Sequence, residues 1–237
     1  LGTAYTPAQR NASSVSDRLG AIVATKPGQN TAFAAIDTAF APVLDANKRP
    51  TTAIARQLYQ IAKLVVSNAT ATGPRQIFFA QMDGFDTHGG QAVADTPMDG
   101  AHPRLLKALG DALGAFQTAM VATGYGNAVT SFTQSDFGRT FTPNNSSGTD
   151  HAWGNQHLVI GGAVKGGATY GTYPSLTLGG PDDVGVDSWE LQGRWIPTTS
   201  VDQYAATLLG WFGATDAQLL QMLPNLQNFP TKKLGFV

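Results

Sequence analysis

The chain has 237 residues, 42% of them hydrophobic, and its 15 basic and 16 acidic side chains leave a formal charge of −1. That length and apolar share support one sizeable packed domain and exclude global disorder. The absence of a basic block excludes nucleic acid as a partner, and the absence of cysteine excludes disulfides, thiolate metal sites and cysteine nucleophiles. Charged residues are only 13% of the chain, about half the usual share. The surface must therefore rest on Thr, Ser, Asn, Gln and Gly, which fits an exported protein, periplasmic or extracellular. No apolar run approaches the ~18 residues of a membrane span.

In chain order, residues 1–10 read as an irregular tail. Val15, Leu19 and Ile22 recur at helical spacing and predict a short amphipathic helix that ends before Lys26-Pro27-Gly28. Phe33, Ile36, Phe40 and Val43 predict a second, bent or ended by Pro42. A third follows Arg49-Pro50, capped by Thr51 or Thr52, with Ile54, Leu58, Ile61 and Val65 on one face.

After a loop at 68–75, the run 76–82, QIFFAQM, reads as a buried strand that delivers Asp83, Asp86 and His88. Residues 89–102 look like an excursion. Pro103 then opens a helix with Leu105, Leu109, Leu113, Phe116 and Met120 as its stripe, stopped by Gly124-Tyr125-Gly126. Residues 127–133 form the next expected strand. Two strands joined by a helix predict a βαβ unit with a parallel, right-handed crossover.

That second strand feeds the polar stretch 134–157. The run 157–164 is a third expected strand, and GGAVKGG at 161–167 lacks the spacing of a phosphate-binding loop, so a turn role is expected. Ser200-Val-Asp-Gln203 and Thr215-Asp-Ala-Gln218 are capping boxes for two closing helices, the first carrying Tyr204, Leu208 and Trp211. The expected organisation is a single α/β domain over 1–237, with a helical lead-in at 1–67, a core at 76–213 and a C-terminal helix and tail at 214–237.

Histidine is scarce, four in all, and two lie beside carboxylates at expected strand ends: Asp86-x-His88 and Asp150-His151. Neutral imidazole with carboxylate oxygen suits zinc or manganese first, with magnesium or calcium as oxygen-favouring alternatives. Each pair could equally bond its own loop. Asp136 is open to two roles, a third carboxylate ligand or half of a loop-bracing pair with Arg139; Arg139 alone would clamp an anionic oxygen. His157 reads as a packing residue and His102 as surface. Asp182, Asp183 and Asp187 lack the order of a calcium-binding loop. Trp153, Trp189 and Trp195 flank Gly-rich loops, where they either line a cleft or pack in a core.

The succession GFDTH (84–88), SDFGRT (135–140), GTDHAWGNQH (148–157), GGAVKGG (161–167) and GRWIPTTSVDQYAATLLGWFG (193–213) resembles the DUF1501 family. These are exported bacterial proteins grouped with the alkaline-phosphatase and sulfatase superfamily. The resemblance implies a three-layer α/β/α fold with a mostly parallel central sheet, a metal site at the carboxyl ends of strands, and hydrolysis of phosphate or sulfate esters, the substrate being a small anionic ester. Carried over by position, Asp86, His88 and His151 look like ligands of one metal and Asp136 like a ligand of a second. Phe137 departs from the pattern, since the superfamily places a histidine there. A first strand bearing a further aspartate and a Ser or Thr nucleophile is also missing before Gln76. With Leu1 rather than Met at its start, the chain resembles the C-terminal part of a longer protein, and a separate N-terminal fragment of the same precursor becomes an expected partner. The alternative to a hydrolase is a non-catalytic exported binding or scaffold protein.

Overall fold

The computed structural model describes residues 29–67, 75–93, 95–184 and 192–237. The helix expected within 13–22, the loop at 68–74, Asp187 and Trp189 lie outside the described residues. The chain divides into two compact units, Leu1–Met82 with Lys107–Val129, and Asp83–Leu106 with Thr130–Val237.

In the first unit, α1 (Gln29–Phe40) runs into a short 3-10 turn at Ala41–Val43. The turn follows from Pro42, which has no N–H to continue the α-helical ladder. Ile36, Phe40 and Val43 are buried, as their spacing predicts. The chain reverses at 45–49, where the Asp45 carboxylate accepts from the N–H groups of Asn47 and Arg49, each at 2.8 Å. The Thr52 hydroxyl then accepts from Ala55 N–H at 3.2 Å at the start of α2 (Ala53–Ser67). Ile54, Leu58, Ala62 and Val66 form its buried stripe. Between α1 and α2 the Phe40 and Tyr59 rings meet edge to face at 5.2 Å. Lys63 Nζ donates to the Tyr59 hydroxyl at 2.7 Å, and that hydroxyl donates to Asp37. Burial and the Asp37 charge together push the Tyr59 phenol up. The later turns of α3 (Ala101–Ala122) bury Leu113, Phe116 and Met120.

Residues 75–82 also belong to this unit, and they correct the expectation of a buried strand. The run contains no helix, turn or bend, yet it has no strand partner among the described residues, and Ile77 and Phe79 are 74% and 83% exposed. The Gln57 side chain anchors its end, accepting from Gln81 N–H at 2.9 Å and donating to Gln81 O at 2.7 Å. An apolar run supplies strand propensity, but a strand exists only where a neighbour takes up its N–H and C=O groups.

The second unit holds two small sheets. Strand β1 (Thr130–Phe132) pairs antiparallel with β4 (Val159–Gly161), and β2 (Gly138–Arg139) pairs antiparallel with β3 (His151–Ala152). These overturn the three-layer, mostly parallel, alkaline-phosphatase-like architecture and its βαβ crossover. Among the described residues every strand pair is antiparallel, because the partner of β1 comes from the sequence after it and not from the run before α3.

Both predicted capping boxes are present. Ser200 and Gln203 close the start of α4 (Val201–Phe212), and Thr215 and Gln218 that of α5 (Asp216–Met222). Pro224 begins the 3-10 turn Pro224–Asn228 that follows. Tyr204 and Leu208 pack with Phe236 against Val159, while Ala206, Leu219 and Leu226 form a second small core. His157 stacks on Tyr204 with centroids 5.4 Å apart, the packing role its position implied, and burial lowers its pKa. Trp195 is buried, its indole N–H donating to Ser175 O at 2.6 Å. The Asp183 carboxylate braces the same loops, accepting from the N–H groups of Gly179 and Gly193 at 2.9 Å each.

Candidate metal centre

Two loops of the second unit, 83–91 and 144–152, are laced together by backbone. Thr149 N–H donates to Thr87 O at 3.2 Å, Gly90 N–H to Ser146 O at 3.2 Å and Gln91 N–H to Ser147 O at 2.8 Å. Asn144 organises the second loop from within. Its Oδ1 accepts from Ser146 and Gly148, and its amide donates to His88 O at 3.0 Å and to the Asp150 carboxylate at 3.1 Å. The approach is so close that a Cβ on Gly148 would lie 2.2 Å from the His88 carbonyl carbon. Only glycine fits there.

This lacing brings His88 and His151 together from 63 positions apart in sequence. Their Nε2 atoms are 3.0 Å apart, and each lies 2.9 Å from the same Asp86 oxygen. Donors around a tetrahedral zinc, at about 2.0–2.1 Å each, stand about 3.3 Å apart. The triangle of Asp86 and the two imidazoles thus needs to open by only a few tenths of an ångström to hold such an ion. All three side chains are about half exposed, so the fourth position faces solvent. The donor set and its spacing fit a divalent metal.

Of the other expected site residues, Asp150 stands on the far side of His88, its carboxylate 3.1 Å from Nδ1. There it fixes the ring's orientation and leaves Nε2 to face the triangle. Arg139, 12% exposed, directs its guanidinium to Asp86 at 2.5 Å and to the hydroxyl and carbonyl of Thr149. It holds a carboxylate of the protein itself, where an anion clamp was expected. Asp136 is not brought in: it is exposed and outside the cluster of Asp86, His88 and His151. The hydroxyls are engaged as well, Thr149 with Gln91 and Arg139, Thr140 with Thr142 O, and Ser135 with Phe137 O.

Two titrations follow from this geometry. At Asp86, desolvation raises the carboxyl, but hydrogen bonds from His151 and Arg139 with the charge of His88 outweigh it, and the net shift is downward. Asp150 is lowered by its hydrogen bonds to Asn144 and His88. Both carboxylates stay ionised at neutral pH, the form a cation needs.

Sequence reasoning missed Gln91, whose side-chain oxygen accepts from both Thr87 and Thr149, and Asn144. It also missed Arg194, whose Nε donates to His151 O at 3.1 Å. Asn144 had a signal, an Asx residue two positions ahead of a Ser-Ser-Gly turn; Gln91 had none. His102, expected at the surface, is half-buried, edge-on to Phe85 at 5.5 Å and 3.3 Å from the Thr87 hydroxyl, and burial lowers its pKa.

A family model described as "Protein of unknown function (DUF1501)" matches residues 31–186. No curated protein and no solved structure matches the chain.

Proposed function

The chain belongs to the DUF1501 family, and we propose that its second unit is a divalent-metal site serving hydrolysis of a small anionic phosphate or sulfate ester. The observation that carries this reading is the three-atom triangle of His88 Nε2, His151 Nε2 and Asp86 Oδ1 with an open outward face. Two imidazoles and a carboxylate with a vacant position form the donor set of hydrolytic zinc sites, and zinc or manganese is the preferred ion. When bound, the ion would polarise the ester and supply an activated water.

The protein's own part is to hold the donors. Asp150 and Asn144 orient His88, Arg139 fixes Asp86, and Phe137 lies flat on the His151 ring. One ion is the expected load, since Asp136 stays outside and Phe137 occupies the place of a second imidazole. The motif resemblance to the alkaline-phosphatase and sulfatase superfamily supports the choice of ester, while the antiparallel sheets add nothing to it. The low share of charged residues and abundant Thr, Asn and Gly support an exported setting.

The test is turnover of phenyl phosphate and phenyl sulfate by the chain with Zn²⁺ or Mn²⁺. Activity that is lost in His151→Ala and restored by neither metal is the expected result. A non-catalytic exported binding or scaffold protein is the second reading, favoured by the commitment of Arg139 to Asp86 and Thr149. Metal bound without turnover of either ester would select it.

A further inference from the structure

Beside His151 at the end of the β2–β3 ladder stand two aromatic rings that offer no donor atom to a metal. Across this ladder Arg139 stands opposite His151 and Gly138 opposite Ala152. Gly138 and Ala152 are buried while His151 is exposed, so side chains alternate and Arg139 and His151 share the other face. Phe137 and Trp153 flank that pair in sequence just outside the ladder, Trp153 at the bend where β3 ends. Phe137 stacks on His151 with centroids 3.9 Å apart and planes at 23°. Trp153, two residues after His151, is 62% exposed, although burial is the ordinary fate of tryptophan. The amides beyond it are engaged, Asn155 donating to Phe137 O and Gln156 to the Tyr173 hydroxyl, which leaves the ring surfaces as the open feature.

We propose that Phe137 and Trp153 form a stacking shelf beside the Asp86–His88–His151 triangle, taking the ring of an aryl-bearing phosphate or sulfate ester whose oxyanion faces the metal. The proposal rests on the metal reading above and narrows its substrate class. An aryl group would lie on the exposed indole, where ring–ring contact adds to simple burial of apolar area. An alkyl ester of the same charge would meet the triangle alone. The shelf therefore acts on selection between esters and not on the capacity to hold the ion.

Titration of the zinc-loaded chain with phenylphosphonate and methylphosphonate, by calorimetry, tests it without requiring turnover. Stacking predicts that the phenyl compound binds about five- to tenfold more tightly. Trp153→Ala should erase that preference, Trp153→Phe should retain most of it, and zinc affinity, titrated alone, should be the same in both variants. Equal affinities in the unaltered chain, failure of both phosphonates to bind the zinc-loaded protein, or a preference that survives Trp153→Ala would each overturn the shelf while the metal reading stands. Loss of zinc in Trp153→Ala would mark the indole as a prop for His151 and overturn it too. A chain that takes up no zinc at all sinks the metal reading, and the shelf with it.

Discussion

Residues 75–82 and 83–91 adjoin in sequence and end in opposite conditions. The first is apolar, free of turns and largely exposed; the second is polar, two-thirds of its length glycine, aspartate or histidine, and tied down by backbone and side-chain bonds. A strand is defined by what lies beside it, whereas a loop such as 83–91 carries much of its own definition in Asp, Gly and His side chains that bond nearby backbone. The metal triangle belongs to the second kind of structure. Its geometry is set by Gly148, Asn144 and the Thr87–Thr149 contact, all within one unit.

The sharpest way to break this contrast is Gly148→Ala. A Cβ there overlaps the His88 carbonyl, so the variant should lose about 2–3 kcal/mol in urea unfolding and lose zinc binding with it. Asp150→Asn leaves the lacing intact but removes the charge that orients His88. Zinc affinity should fall about tenfold by titration with little change in unfolding midpoint. A smaller effect is expected at His157, whose imidazole is depressed by burial against Tyr204. The unfolded chain then binds more protons than the folded one, so this contribution is complete above the ordinary histidine value and fades as pH falls through the lowered one. Replacing it by His157→Phe should flatten the decline in stability between about pH 7 and 5. Phe79→Lys, in the exposed run, should change stability by no more than about 0.5 kcal/mol. A loss of several kcal/mol there would show that 75–82 is structurally committed after all.

The same contrast explains what was legible in the sequence. Ser200–Gln203, Thr215–Gln218 and the stop at Pro42 are local rules, satisfied within four residues, and each is found in place. Helical spacing alone marks α2 and α3, although burial in α2 passes to Ala62 and Val66 where Ile61 and Val65 were expected, and in α3 it takes in Leu113, Phe116 and Met120 but not Leu105 or Leu109. The meeting of His88 with His151 was foreshadowed because both sit beside an aspartate in a loop after an apolar run. Sheet topology was not legible, since propensity in 76–82 carries no information about a partner. Nor was the duty of Arg139: a guanidinium in a polar stretch after an expected strand serves an internal carboxylate as readily as a ligand, and only the position of Asp86 decides. Asp136, expected by motif position as a ligand of a second metal, lies before the ladder that carries Arg139 and outside the group of Asp86, His88 and His151.

The most direct measurement is an anomalous-difference map at the zinc edge from crystals of the zinc-loaded chain. A single peak about 2.0–2.1 Å from His88 Nε2, His151 Nε2 and the Asp86 oxygen is the predicted result. No peak there, or one bound by Asp136 or Asp183 in its stead, would contradict the account.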